Sequence, residues 1–295
     1  MQIYSLFKSG FISIVGCPNA GKSTLINLLI GSRLSIVSPK VQTTRHRIMG
    51  IFNDSQSQLI FLDTPGILKP RYKLQEHMMQ TVEDSLKDAD VIVLVTGPEP
   101  SLLPEPDFLK ALQVLNKPLV IVYNKIDQLQ ESQMLEGLAY WKQQFPESAC
   151  LPLSALHAFN HPALLNELKQ LVPEHPPYYD SEALTDRSER FIASEYIREV
   201  VFARYHKEIP YSTEITIDEF KTSPKGLHLH ATVWVERETQ KGILIGHGGK
   251  ALKQLGSSAR KQLELFFNAS VHLKLHVKVE PDWRSRDQKL KQWGY

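Results

Sequence analysis

Gly16-Cys17-Pro18-Asn19-Ala20-Gly21-Lys22-Ser23 decides how this chain folds. The stretch fits G-x-x-x-x-G-K-[ST], a spacing that serves phosphate binding when it joins a strand to a helix. Here the apolar run Phe11–Val15 precedes it and a helical pattern, Ser23–Ile30, follows it. Glycines let such a turn curl so that its backbone N–H groups point inward, and the helix N-terminus adds a positive dipole end. Lys22 is placed to reach β- and γ-phosphates. Ser23 is placed to ligate Mg²⁺, and Thr24 completes the loop. A chance glycine-rich turn is the bland alternative, and it requires both spacing and context to be coincidence.

Working outward, Leu59–Leu62, Val91–Val95, Leu119–Tyr123 and Cys150–Leu153 read as further short apolar strands. Helical patterns separate them near Gln75–Lys87, Asp107–Leu115, Ser132–Gln144 and Pro162–Leu171. Near-continuous apolar strands alternating with helices predict an α/β fold whose mostly parallel sheet is covered on both faces. Arg47–Phe52 reads as an extra strand, paired with Leu59–Leu62 through the polar turn Asn53–Ser57. Ligands of such sheets sit at the carboxyl ends of the strands, where the remaining motifs fall.

Asn124-Lys125-Ile126-Asp127 ends the strand Leu119–Tyr123. Asp127 can accept from the guanine N1–H and exocyclic amine, a donor pair that adenine lacks, so an adenine would leave a desolvated carboxylate unpaired. Asn124 can tie this loop to the phosphate loop, and the Lys125 stem can lie over the base. Ser154-Ala155-Leu156 follows the strand Cys150–Leu153 and is expected to offer a backbone N–H to the guanine O6. Asp63-Thr64-Pro65-Gly66 follows Leu59–Leu62, with Asp63 placed to hold Mg²⁺ through water and the Gly66 N–H to touch the γ-phosphate. Between the first helix and the edge strand, Gln42-Thr43-Thr44-Arg45-His46 stands where a mobile switch meets Mg²⁺ and γ-phosphate. Either threonine can supply the hydroxyl ligand.

These motifs stand in the order and spacing of the translation-factor-like GTPases, which the first half of the chain resembles. The resemblance aligns a threonine directly before arginine, which favours Thr44 as the ligand. Where many Ras-type enzymes carry the water-orienting glutamine, this chain has Ile67. In GTPases with a similar G-x-P-N-x-G-K-S loop the asparagine helps hold a potassium ion beside the phosphates. Asn19 is therefore read either as a K⁺ ligand or as a group that satisfies its own loop. The expected catalytic set is Lys22, Asn19, Thr44 and Gly66.

The grammar changes near Pro173-Glu174-His175-Pro176-Pro177, which cannot continue a helix and reads as an extended linker. The expected division is 1–178 and 179–295. Beyond it come a helix, Arg187–Tyr205, strands Glu214–Phe220 and Leu227–Glu236, a glycine-rich turn, a helix Lys250–Phe267, a strand Val271–Val279 and a polar tail. Ile243-Leu244-Ile245-Gly246-His247-Gly248-Gly249-Lys250 resembles the turn of the KH module, in the α-β-β-α-α-β order of its type II form, so a small α+β domain is expected. Gly246 and Gly249 permit close backbone approach to about four single-stranded nucleotides. Lys250, Lys253, Arg260 and Lys261 can neutralise phosphates. KH turns of this kind often carry lysine where this chain has His247, which bears less charge. The same glycines match G-x-G-x-x-A, but no acidic residue follows in Asn268–His276, which removes the dinucleotide reading. A turn serving only helix packing is the other alternative. His228, His230, His272 and His276 recur at even spacing, each pair on one strand face. With no thiol or carboxylate beside them, a solvated or RNA-touching face fits better than a metal site. Arg284, Arg286, Lys289 and Lys291 give the tail its basic character, with ordinary solvation as the simplest reading.

The phosphate loop, the Gln42–Arg45 switch and the I-G-x-G-G turn in a single C-terminal KH module resemble the Era family over essentially the whole chain. That resemblance implies a monomer that binds 16S ribosomal RNA near its 3′ end and takes part in 30S subunit assembly. It also implies a cytoplasmic protein with a peripheral association to the inner membrane. The rival is a GTP-switched protein or membrane adaptor whose C-terminal module binds no RNA. A P-loop kinase or ATPase is disfavoured by Asn124–Asp127.

Composition sets bounds and little more. At 295 residues the chain suits two domains. No apolar run approaches the roughly 20 residues of a membrane span, and Lys8 and Gly10 interrupt any signal-peptide pattern. The two cysteines, Cys17 and Cys150, have no metal or disulfide spacing, as expected of a reduced cytosolic compartment. Basic and acidic residues number 15 against 16 up to Tyr178 and 19 against 16 beyond it, from totals of 34 and 32. That imbalance hints weakly at nucleic acid for the second half.

Overall fold

A computed structural model describes residues 7–99 and 102–295. Residues 1–6, part of the stretch in which no signal peptide was read, lie outside it. The chain forms two compact units. The first comprises Met1–Ser35, Thr44–Lys69 and Met78–Asp186; the second, Ile36–Thr43, Pro70–His77 and Arg187–Tyr295.

The first unit is built on six strands: β1 Lys8–Val15, β2 Ile48–Asn53, β3 Ser57–Asp63, β4 Val91–Thr96, β5 Leu119–Tyr123 and β6 Ala149–Pro152. Their order is β2-β3-β1-β4-β5-β6, parallel except for β2, which runs antiparallel to β3. The expected hairpin is present, and Asp54 closes it by accepting from the N–H groups of Gln56 and Ser57, an Asx turn. Strand β4, VIVLVT, is buried at every residue, as a central strand covered on both faces must be. Helices α1 Lys22–Ile30, α2 Lys73–Asp88, α3 Pro106–Val114, α4 Glu131–Gln144 and α5 His161–Leu171 match the sequence patterns to within a few residues. Gly31, at φ 70°, ends α1 in a left-handed cap that returns its N–H to Leu28 O. From β1 the chain turns first toward β3 and later toward β4, so the end of β1 is the topological switch point.

The Pro173–Pro177 segment is extended, but it is docked rather than loose. Ser9 N–H donates to Pro173 O and His175 N–H to Phe7 O. Gln58 Oε1 then accepts from Tyr178 and Tyr179 N–H, and Ile51 N–H reaches Leu184 O.

In the second unit α6 Glu189–Arg204, β7 Glu214–Ser223, β8 Gly226–Val235, α7 Glu238–Ile245, α8 Lys250–Phe267 and β9 Val271–Val279 give the expected α-β-β-α-α-β order. The sheet runs β7-β8-β9, with β7 and β8 antiparallel and β8 and β9 parallel. Leu227, Leu229, Ala231, Val233 and Val235 turn one face of β8 into a core shared with Ile197 and Val201 of α6 and Leu255, Ala259 and Leu263 of α8. Ser188 caps α6 by accepting from Phe191 N–H, an interaction whose loss costs about 1 kcal/mol.

The tail departs from the polar reading. It folds into a short turn around Trp283 and the helix α9 Asp287–Gln292. Trp283 is fully buried and donates Nε1–H to Ser212 O at 3.0 Å. Three of its four basic residues are paired: Arg284 with Glu236, and Arg286 and Lys289 with Glu280. Periodicity missed this because a six-residue helix, held by Leu290 and by Trp293 packing on Trp283 and Trp234, has too few turns to show a pattern.

Candidate functional site

At the end of β1 the backbone takes three unusual conformations in quick succession. Gly16 has φ 152°, Asn19 65° and Gly21 98°. A Cβ on Gly16 would stand 2.1 Å from Val95 O, and one on Gly21 2.3 Å from Asn124 Nδ2, so neither position admits a side chain. Such a turn directs its N–H groups into one concavity, a nest for an anion. Lys22 follows at the start of α1. It is buried, and its Nζ donates to Gly16 O at 2.9 Å and Cys17 O at 3.0 Å. Burial pushes its pKa down to about 8, against the attraction of Asp63. Burial also raises the Cys17 thiol, which therefore stays protonated and inert. Asn19 is exposed at the rim of the turn.

Three oxygens meet at the mouth of this loop. Ser23 Oγ lies 2.9 Å from Thr44 Oγ1 and donates to Asp63 Oδ2 at 2.9 Å. Thr43 turns away, its Oγ1 donating to Lys40 O at 2.6 Å. The structure thus brings Thr44, not Thr43, to Ser23. Two hydroxyls and a carboxylate are the hard donors that suit Mg²⁺. Among the described residues no cluster of three or more His, Cys, Asp or Glu could hold a metal. Thr64 Oγ1 donates to Ile14 O, fixing the turn after β3. A Cβ on Gly66 would stand 2.8 Å from the Pro18 backbone, so the Asp63–Gly66 turn passes close over the loop. Ile67 N–H donates to Gly16 O at 3.1 Å and its side chain packs against the cluster of Val15, Leu94 and Trp141. Gln42, at φ 58°, accepts from Tyr72 Oη–H at 2.9 Å. Arg45 and His46 are buried.

The base-reading loop is tied to the phosphate loop as expected. Asn124 Nδ2–H donates to Ala20 O at 2.8 Å while its Oδ1 accepts from Ala155 N–H at 2.9 Å. Asp127 is exposed, and Ser154 Oγ–H donates to its Oδ1 at 2.5 Å. In the stretch expected to offer one N–H to the guanine O6, the amides of Ser154 and Ala155 are engaged within the protein, by Phe159 O and Asn124 Oδ1. The Lys125 ammonium reaches Glu99 at 3.0 Å. Glu99 was missed because it sits after β4 with no motif around it. Ile126 packs into the Trp141 cluster and Leu156 is exposed.

In the second unit Gly246 lies at φ 70°, ψ 176°, a region open to glycine alone. A Cβ there would come within 2.6 Å of Ala251 Cβ. Gly248 and Gly249 are left-handed with open space beside them, and His247 is exposed. This turn opens onto a groove of about 560 Å³ between α8 and β9. Gly249, Lys253 and Arg260 line it, as the sequence proposed for binding; Lys250 is exposed but does not line it. The sequence missed Leu252, Gly256, Ser257, Leu273, Lys274 and Leu275 as wall residues. One signal was available: Gly256 in mid-helix costs about 1 kcal/mol relative to alanine, a cost that an open groove explains.

Known proteins resemble both units. Residues 11–125 match the family model for 50S ribosome-binding GTPases and residues 208–284 that for KH domains. GTPase Era of Geotalea daltonii is 40% identical over 291 residues, covering 98% of each chain. GTPase Era of Lactobacillus helveticus is 39% identical over 290 residues, covering 98% of this chain and 96% of that one. Among solved structures, Era in complex with MgGDPNP and nucleotides 1506–1542 of 16S ribosomal RNA has a TM-score of 0.94 at 37% identity, covering 98% of this chain and 99% of that one. An Aquifex aeolicus Era variant bound to GDP·AlF4⁻ has a TM-score of 0.93 at 37% identity, with the same coverage. With relatives this similar over nearly its whole length, the chain belongs to the GTPase Era family.

Proposed function

We propose that this chain is a GTP-hydrolysing switch that binds 16S ribosomal RNA near its 3′ end and assists assembly of the 30S subunit. One observation carries the reading: a complete nucleotide constellation and a Gly246–Gly249 groove stand on one chain that matches an RNA- and MgGDPNP-bound Era over 98% of its length. The nucleotide part lies within 1–178 and the RNA part within 179–295. The protein acts as a cytoplasmic monomer with a peripheral association to the inner membrane. Among the described residues, no helix is long and apolar enough to cross a membrane.

Each residue then has a task. The Gly16–Gly21 N–H groups cradle phosphate, and Lys22 exchanges its two carbonyl partners for phosphate oxygens. Ser23 and Thr44 hold Mg²⁺, with Asp63 behind Ser23. Bound there, Mg²⁺ offsets the charge on the β- and γ-phosphates. Gly66 N–H meets the γ-phosphate, and Asp127 reads the guanine edge. Ile67 has no group that orients water, and its N–H is already used, so unaided hydrolysis is slow. Asn19, exposed at the rim, supplies a carbonyl for K⁺. In the groove, Lys253 and Arg260 neutralise phosphates while Leu273 and Leu275 meet unstacked bases.

The test is a titration of the full chain with a single-stranded RNA of the 16S 3′-terminal sequence, alongside GTP turnover with and without Mg²⁺. Sequence-preferring, salt-sensitive RNA binding and Mg²⁺-dependent turnover are expected. Turnover without RNA binding would move the adaptor reading ahead.

A further inference from the structure

The face of the second-unit sheet away from the helices is not a neutral surface. The register sets Lys221, His228 and His272 in one cross-strand row, Glu219, His230 and Lys274 in the next, then Thr232 beside His276 and Trp234 beside Lys278. His228 and His272 stack, ring centroids 4.7 Å apart and planes at 18°. The acidic groups on this face are already engaged. Glu219 pairs with Lys221 and with His230, and Asp218 accepts from Thr232 Oγ1 at 2.7 Å. Strand β9, VHLKLHVKV, has no acidic residue, and His272, Lys274, His276 and Lys278 are all exposed along it. Alternate residues of a strand stand roughly 6.6 Å apart on one face, so these four side chains form a ladder of two ammonium groups alternating with two imidazole N–H donors.

Two features say what would lie on it. The ladder is complementary to a polyanion whose charges repeat along an extended line. It is also continuous with the RNA groove, because β9 is the edge strand and Leu273, Lys274 and Leu275 form one wall of that groove. A strand leaving the groove across this edge passes from the leucine side of β9 directly onto the histidine–lysine side.

We propose that this sheet face is a second RNA-binding surface, on which the phosphodiester backbone of a strand emerging from the Gly246–Gly249 groove runs along His272, Lys274, His276 and Lys278. It rests on the reading of the groove as an RNA site. The groove selects about four nucleotides, and the ladder extends the footprint without reading sequence, since phosphate contacts carry none. The rings of His228, His230, His272 and His276 can each donate an N–H to a phosphate oxygen along this row. Lys221 on β7 adds to this binding and Glu219 on β7 opposes it.

The experiment compares two RNAs on the full chain. One is a strand of about four nucleotides that fills the groove; the other carries the same sequence within a strand about three times as long. The variants are His272→Glu with His276→Glu, and His272→Gln with His276→Gln, all at exposed strand positions. The glutamate pair is expected to leave the short RNA unchanged and to weaken the long one by roughly tenfold, with a salt dependence shallower by about 0.7 per lost phosphate contact. The glutamine pair, which keeps an N–H donor at each position, is expected to keep the groove and to weaken the long RNA far less than the glutamate pair does. Equal affinity of parent and glutamate variant for the long RNA would overturn the proposal. So would a variant effect confined to vesicles of anionic phospholipid, which would make the face a membrane surface. Failure of the parent to bind even the short RNA would instead bring down the groove reading itself, and this proposal with it.

Discussion

Asn124 donates to the backbone oxygen of Ala20 across a gap of 104 residues, at 2.8 Å, and in doing so locks the base-reading loop to the phosphate loop. Its Oδ1 meanwhile holds Ala155 N–H, so one buried side chain joins the loops after β1, β5 and β6. Asn124→Ala strands both partners. At about 1–3 kcal/mol per buried unsatisfied group, the folded state should lose roughly 2–6 kcal/mol, and GTP affinity should fall at least about tenfold. Urea denaturation and nucleotide titration check this together. Gly21→Ala should do comparable damage, since its Cβ would occupy the place of Asn124 Nδ2.

Nucleotide choice rests on Asp127. Its side chain is 22% exposed and held by Ser154 Oγ, not by the core, so Asp127→Asn should leave the fold intact. The amide presents a donor where guanine also presents donors. Two charge-assisted hydrogen bonds at about 1.5–3 kcal/mol each predict a loss of GTP affinity of about a hundredfold or more. Xanthine nucleotides, whose 2-oxo group accepts, should gain. Unchanged GTP binding would remove Asp127 from the role.

The Lys22 ammonium should make nucleotide binding consume a proton in mildly alkaline solution. Its pKa is lowered from 10.5 to about 8 by burial. The unfolded chain keeps that proton up to the higher value, so the cost of burying it is full below pH 8 and is relieved as pH rises toward 10.5. Phosphate favours the charged form. Between the two values binding must therefore take up a proton, and affinity must decline with pH. Calorimetry at about pH 9 in buffers of different ionisation enthalpy should reveal the uptake, and Lys22→Gln should abolish it.

Of the expectations read from residues, those that depended on close sequence neighbours are matched by the structure. The phosphate loop, the hairpin around Asp54 and the Gly246–Gly249 turn each depend on backbone conformations that a few adjacent residues dictate. Distant partners were invisible. Nothing in the spacing of Pro173–Pro177 announces that Gln58 holds the chain just beyond it at Tyr178 and Tyr179. Nothing in the basic tail announces that Trp283 is core. The alternation of β7 also misleads, because the register shifts between Ile217 and Glu219 and the strand runs on to Ser223. The amide partners of Ala155 and Ser154 are settled by packing between loops, which no periodicity encodes.

Ile67 leaves water positioning and charge compensation to other groups. If Asn19 holds a monovalent cation, GTP turnover should be faster in potassium than in sodium at equal ionic strength, and Asn19→Ala should erase the difference while Mg²⁺ dependence persists. Equal rates in the two salts would return Asn19 to the satisfaction of its own loop.

The account stands most directly on whether the Gly246–Gly249 turn binds RNA. Replacing His247 and Gly248 with Asp sets two carboxylates on an exposed turn. Gly248 is left-handed with open space around it, a conformation aspartate tolerates better than most residues, so the fold survives and GTP turnover without RNA is unchanged. Fluorescence anisotropy with a single strand of the 16S 3′-terminal sequence is the decisive measurement. Affinity should fall by about tenfold or more, the loss of one or two phosphate contacts. A folded double variant that binds this RNA as tightly as the parent would contradict the account.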